Sequence, residues 1–202
     1  SADVIVLQSW LMDPPERLDR MLDACAAHCP RARIVYFDTF ANCDLRLARQ
    51  LEDRIAAYGK KAFFRDRSIH RRATHGHSAL MEYYGDLYDI DMPLEDWQVS
   101  EKFLETLHLT PGFFTAPQLL SAFRSGPPPD LAWDRPIDIH ARLETQGTPW
   151  YQAMREDAAK RISALGGLRC ATGTGLPWRA FMDEMRASKL CFSPFGYGEL
   201  CW

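Results

Sequence analysis

An apolar run, a helix-patterned stretch and a second apolar run open the chain within about thirty-five residues, the size of one strand–helix–strand crossover. The first run, Asp3-Val4-Ile5-Val6-Leu7-Gln8, lacks polar alternation, as expected of a central parallel strand covered on both faces. Pro14-Pro15 closes the connecting loop. Asp13 is placed to cap the helix that begins there, and proline is tolerated in a first helical turn. Leu18, Met21, Leu22, Cys25 and Ala26 then recur at helical spacing over residues 16–29, and Pro30 stops the pattern. Arg33-Ile34-Val35-Tyr36-Phe37 reads as the second strand. A chain that begins this way is held to an α/β fold around a parallel sheet.

The rhythm continues. Asp44 is expected to open a helix through about residue 58, and Lys60-Lys61-Ala62-Phe63-Phe64 to form the third strand. Ligands in such sheets gather beyond the carboxyl ends of the strands. That rule nominates Gln8-Ser9, Asp38-Thr39 and Arg65-Asp66, each of which also reads as an ordinary loop cap or turn. Between residues 68 and 93 the pattern loosens into the basic loop Arg71-Arg72-Ala73-Thr74-His75-Gly76-His77, ahead of an aromatic helix or turn with Met81, Tyr83, Tyr84 and Tyr88. His75 and His77 have the chemistry for a metal or a sugar. Without carboxylate or cysteine neighbours, however, such pairs are more often loop hydrogen-bonders. Residues 99–107 fit either a strand or a short helix.

Ser125-Gly126-Pro127-Pro128-Pro129-Asp130 mixes flexible and stiff residues and reads as an exposed connector. It divides the chain into a first Rossmann-like domain, 1–124, a connector, 125–134, and the front half of a second Rossmann-like domain, 135–202. In the latter, Pro136-Ile137-Asp138-Ile139-His140-Ala141 is a strand, residues 148–165 a helix started by Thr148-Pro149, and Gly166-Gly167 its end. A strand at Leu168-Arg169-Cys170-Ala171-Thr172, a helix over 177–188 and a strand near 190–193 complete the expectation.

Composition sets bounds. The 202 residues are 47% hydrophobic and 25% charged with a formal charge of −3, which points away from nucleic acid as a partner. The six cysteines form no C-x-x-C pair, so they read as small buried hydrophobes of a reducing compartment. No stretch has the length of a membrane span and no charged-then-apolar leader opens the chain, so the expected location is the cytoplasm.

The last fifteen residues, Ser188-Lys189-Leu190-Cys191-Phe192-Ser193-Pro194-Phe195-Gly196-Tyr197-Gly198-Glu199-Leu200-Cys201-Trp202, read as a short strand, a Pro-Gly loop and the start of something new. Glycines before a helix N-terminus let backbone N–H groups approach a phosphate, although a lone G-x-G is usually a turn. This stretch resembles the donor-side loop of bacterial glycosyltransferases of the two-Rossmann-domain (GT-B) architecture, and more distantly that of exostosin-type enzymes. The resemblance implies transfer of a sugar from a nucleoside-diphosphate sugar to a glycan, lipid or small-molecule acceptor. It makes residues 1–124 the acceptor side and 135–202 the donor side.

On that reading His140, Arg142, Ser193, Gly196, Tyr197, Gly198 and Glu199 bind the donor, with Arg142 first choice for the diphosphate. Arg142 is equally suited to a salt bridge with an acid such as Glu144, His140 to the core, and Glu199 to a helix cap. A base for the acceptor hydroxyl if the anomeric centre inverts, or a group stabilising the oxocarbenium-like charge if it is retained, is expected from the first domain, where Asp13, Asp38 and His77 are the candidates. Asp89-Ile90-Asp91 has the letters of a D-x-D metal motif but sits at that domain's edge, so transfer is expected to be metal-independent, with no cofactor beyond the sugar donor. The chain ends at Trp202, before the helix that grips the ribose in the resembling enzymes. An inactive fragment, pairing into a homodimer through an exposed sheet edge, is therefore expected. A non-catalytic α/β module that binds a nucleotide or a protein is the alternative.

Overall fold

The computed structural model of the chain describes residues 2–10, 13–75, 79–110 and 135–196. These form two compact α/β units, one built on residues 2–82 and 91–110, the other on Tyr83–Ile90 and residues 135–196.

Along residues 2–110 the order is β1 (Val4–Leu7), α1 (Pro15–His28), β2 (Arg33–Asp38), α2 (Ala48–Leu51), β3 (Ala57–Lys60), a 3-10 turn (Arg67–Arg71), α3 (Ala79–Tyr88), α4 (Glu101–Glu105) and β4 (Leu107–Leu109), all in the first unit except residues 83–88 of α3. All four strands are parallel, in the spatial order β1-β2-β3-β4. One register row, Leu7, Tyr36, Tyr58 and Leu107, runs straight across the sheet, and all four side chains are buried. Leu18 and Leu22 of α1, Ala48 and Leu51 of α2, and Phe103 and Leu104 of α4 pack on this row. Each large apolar side chain buried there contributes roughly 1.5–3 kcal/mol.

A sheet wound in one direction by right-handed crossovers carries its helices on one face. Val4 and Val6, at 53% and 60% exposure, point the other way. The expectation of a central strand covered on both faces is therefore corrected, since among the described residues β1 is an edge strand covered on one. An unbroken apolar run does not distinguish the two arrangements.

Two further expectations move. The helix expected over 44–58 shrinks to α2, because Asp44 is drawn into a turn with Arg46 and Asp53 adopts left-handed backbone at φ 62°. The third strand consequently starts earlier, at Ala57 rather than Lys60. Its Gly59 is required by packing: a Cβ there would lie 2.6 Å from Thr110 Cγ2 and 3.2 Å from the Phe37 ring. The ambiguous stretch 99–107 holds a helix and the start of a strand. Ser100 Oγ accepts the Phe103 amide to start α4, and β4 pairs with β3 directly after it.

The second unit contains β5 (Ile137–Ala141), α5 (Pro149–Ser163), β6 (Cys170–Thr172), α6 (Trp178–Arg186) and β7 (Ser188–Cys191). Its parallel sheet has the order β6-β5-β7. The chain leaves β5 toward one neighbour and returns on the other side, so right-handed crossovers put α5 and α6 on opposite faces. His140 packs edge-on against Phe181 of α6, ring centroids 4.8 Å apart. Trp150 of α5 is 1% exposed and stacks on Tyr84 of α3, whose residues 83–88 belong to this unit. The cysteines depart from expectation: among the described residues only Cys43 is fully buried, Cys25, Cys29 and Cys170 are half-buried, and Cys191 is exposed on strand β7, while Cys201 lies outside the described residues.

Candidate functional site

At the carboxyl end of the first sheet, β2 and β3 place Asp38 opposite Lys60, two pairs beyond the tyrosine row and on the same face. Both side chains are fully buried, and Lys60 Nζ donates to Asp38 Oδ2 at 2.6 Å. The Tyr58 hydroxyl donates to the same oxygen, and the Phe40 amide donates to Oδ1 at 2.8 Å. Burial, then the Asp38 charge, holds the Tyr58 phenol well above its usual value, so it remains a donor. Ser9 Oγ and the Tyr36 hydroxyl share a bond of 2.5 Å beside them. Asp38 is thus a saturated internal carboxylate with no route to an acceptor hydroxyl.

Asp13 sits differently. It is not the side-chain cap of α1, whose N-cap is Pro14; it accepts from the Trp10 amide at 2.8 Å and from Arg17 Nη1 at 2.7 Å. Its carboxylate lines a hollow of about 300 Å³ at the carboxyl ends of β1 and β2, together with Trp10, Phe40, Arg46 and Gln50. Arg46 is held bidentately by Asp44 and lies 4.5 Å over the Trp97 ring, and Trp10 is 69% exposed at the rim. Of the two candidate bases among the described residues, Asp13 and not Asp38 lines a concave surface. His77 lies outside the described residues. His75 bonds the Met92 carbonyl at 2.9 Å, as a loop-fastening histidine does. Gln8 reaches Thr39 at 3.2 Å, and Asp66 caps the 3-10 turn instead of ending a strand.

In the second unit, the segments nominated for the donor come together in part. The Phe192 amide donates to the His140 carbonyl at 2.8 Å, so the loop after β7 starts beside the end of β5. The Arg142 guanidinium is occupied: Nε and Nη2 grip Glu184 at 2.5 and 2.8 Å, and Nη1 donates to the Thr172 carbonyl at 2.7 Å. Its partner is Glu184 of α6, not Glu144. Glu184 in turn is held below the usual carboxylate range, chiefly by those hydrogen bonds. His140 is buried, with Nε2 3.7 Å from Glu184 and no hydrogen bond. Desolvation lowers its pKa against the pull of Glu184, which keeps the ring neutral. Ser193 is exposed and lines a groove of about 610 Å³ with Tyr83, Tyr84, Tyr88, Ile162 and Phe195. Gly196 is buried, and Tyr197, Gly198 and Glu199 lie outside the described residues.

Comparison with protein-family models, curated proteins and solved structures returned no match. The site therefore stands on its geometry. Among the described residues, no group of three or more His, Cys, Asp or Glu side chains is arranged to hold a metal ion, and no helix is long and apolar enough to cross a membrane.

Two residues escape the sequence pattern. Lys60 is hidden by the displacement of the third strand. Arg155 of α5 is 8% exposed, with Nη2 donating to the Phe195 carbonyl at 3.0 Å and Nη1 to the Glu144 carbonyl at 3.4 Å. A signal for it exists, because Arg155 interrupts an otherwise apolar stripe of Tyr151, Met154, Ala158 and Ile162 at helical spacing.

Proposed function

We propose that the chain carries the donor-binding part of a glycosyltransferase, taking a nucleoside-diphosphate sugar at the carboxyl ends of β5 and β7. One observation carries the reading. In the order β6-β5-β7 the chain reverses direction between β5 and β7, and open α/β sheets bind ligands in the crevice outside such a switch point. The loops that leave those two strands, after Ala141 and after Cys191, are the ones the resemblance assigns to the donor. In the first unit Asp13 is the candidate to take the acceptor's proton, with the exposed Trp10 indole beside it as a platform for a sugar ring.

A second reading, a non-catalytic α/β module that binds a nucleotide or a protein, is favoured by the pairing of Arg142 with Glu184, which removes the cation first assigned to the diphosphate. Thermal melting of the 202-residue chain against UDP-, GDP- and dTDP-sugars tests the first reading. One nucleotide class should raise the melting temperature, and transfer to an acceptor should fall sharply in Asp13→Asn. A flat response across the panel would remove the donor site.

A further inference from the structure

Arg155 presents an uncompensated buried charge. Its Nε is buried without a hydrogen-bond partner, its two bonds go to carbonyl oxygens, and its guanidinium lies 4.5 Å from the Tyr151 ring centroid. No carboxylate among the described residues pairs with it. Glu156 accepts from Gln152 at 2.7 Å, Asp157 from Arg161 at 2.8 Å, and the Glu144 carboxylate from the Gln146 amide at 3.0 Å. Buried arginines are ordinarily paired, because removing a cation from water without a counter-charge is strongly unfavourable.

Position gives the anomaly its meaning. The carbonyls that Arg155 holds belong to the loop after β5 and the loop after β7, so it bridges the two sides of the switch point. Helical side chains lean toward the helix N-terminus, so Arg155, the seventh residue of α5, reaches back to the Glu144 carbonyl that precedes the helix. The Nε/Nη2 edge of a guanidinium is the fork that takes a phosphate bidentately. In Arg155 one prong is empty and the other rests on the Phe195 carbonyl.

We propose that Arg155 is the core of an anion site at the β5/β7 switch point, and that the group it takes is a phosphate of a nucleoside diphosphate. The assignment rests on the donor-binding reading and transfers the cation's role from Arg142 to Arg155. Arg142 becomes the residue that fastens β5 to α6.

Inorganic pyrophosphate is the probe, added at constant ionic strength to the full chain. It should raise the melting temperature saturably in the wild type and leave Arg155→Met unmoved. An equal rise in Arg155→Met, or none in the wild type, overturns the site. Should the methionine variant not fold, Arg155→Lys decides. A single-point ammonium should bind pyrophosphate at least about three-fold more weakly than the fork, and unchanged affinity overturns the proposal. A nucleotide sugar that stabilises wild type and Arg155→Met alike keeps the glycosyltransferase reading and removes this site. Pyrophosphate binding that depends on Arg155, with no response to any nucleotide sugar, does the reverse.

Discussion

Both units bury charge at the carboxyl end of a parallel sheet, and they do it in opposite ways. In the first, Lys60 and Asp38 neutralise each other at 2.6 Å, with Tyr58 and the Phe40 amide completing the carboxylate. In the second, Arg155 has carbonyl oxygens and a ring face but no anion among the described residues. Internal charge alone does not mark a functional site. A pair that satisfies itself holds a sheet together, whereas a cation left without a partner is positioned to receive one from outside.

The comparison breaks most visibly at Lys60. Lys60→Met leaves Asp38 buried without its counter-charge, and loss of one partner from a buried pair costs about 3–5 kcal/mol. Urea denaturation should show a loss in that range, and Lys60→Met combined with Asp38→Leu should recover much of it. A loss below about 1 kcal/mol would mean that the buried charges of the two units do not differ in kind.

Acid provides the next largest effect. His70, buried beside Lys60, has its pKa pushed down to about 4, mainly by burial and then by the Lys60 charge. An unfolded histidine takes its proton near 6.5, so below that pH the unfolded chain binds more protons than the fold. Stability should therefore fall as pH drops from 6.5 to about 4, by up to roughly 3 kcal/mol, in a window above the one in which carboxylates titrate. Asp44, held low because Arg46 outweighs the effect of burial, adds its own loss only below that window. Stability measured against pH in wild type and His70→Gln checks this, and equal slopes in the two would refute it.

The extent to which the sequence discloses these two units depends on how local each determinant is. The β5–α5–β6–α6–β7 succession is readable because each element carries its own punctuation, from Thr148-Pro149 to Gly166-Gly167, and the structure places these elements within a few residues of expectation. The segment 44–64 is not readable. Its apolar spacing suits a helix, but the backbone reversal at Asp53 and the pairing of Tyr58 with Tyr36 are decided by contacts distant in sequence. That mismatch displaces the third strand and conceals the Asp38–Lys60 pair, so a saturated carboxylate looks like a base. Arg142 does lie at a strand end, but whether an arginine there faces a ligand or a neighbour depends on Glu184, forty-two positions away. Nothing in the local pattern states which.

Arg142 itself gives a moderate effect. Arg142→Ala removes a bidentate ion pair and a bond to the Thr172 carbonyl, in a side chain that is 17% exposed. Partial solvation of Glu184 limits the loss to about 1–2 kcal/mol. Chemical denaturation should show that destabilisation, with pyrophosphate binding retained. Loss of pyrophosphate binding in a folded Arg142→Ala would return the phosphate role to Arg142 and undo the contrast drawn between the two arginines.

The smallest effect is the most discriminating. Arg155→Met removes two bonds to carbonyls and a ring contact, each worth on the order of 1 kcal/mol. The same substitution also removes the penalty of keeping an unpaired cation out of water, and methionine fills most of the vacated volume without a charge. The opposing contributions nearly cancel, so the ligand-free variant should unfold within about 1 kcal/mol of wild type. Such neutrality at a buried charged position, set beside a large loss at Lys60, is the pattern of a residue retained for a ligand and not for the fold. A loss at Arg155 as large as that at Lys60 would show instead that its carbonyl bonds hold the loops after β5 and β7 in place, and Arg155 would then be a structural clasp.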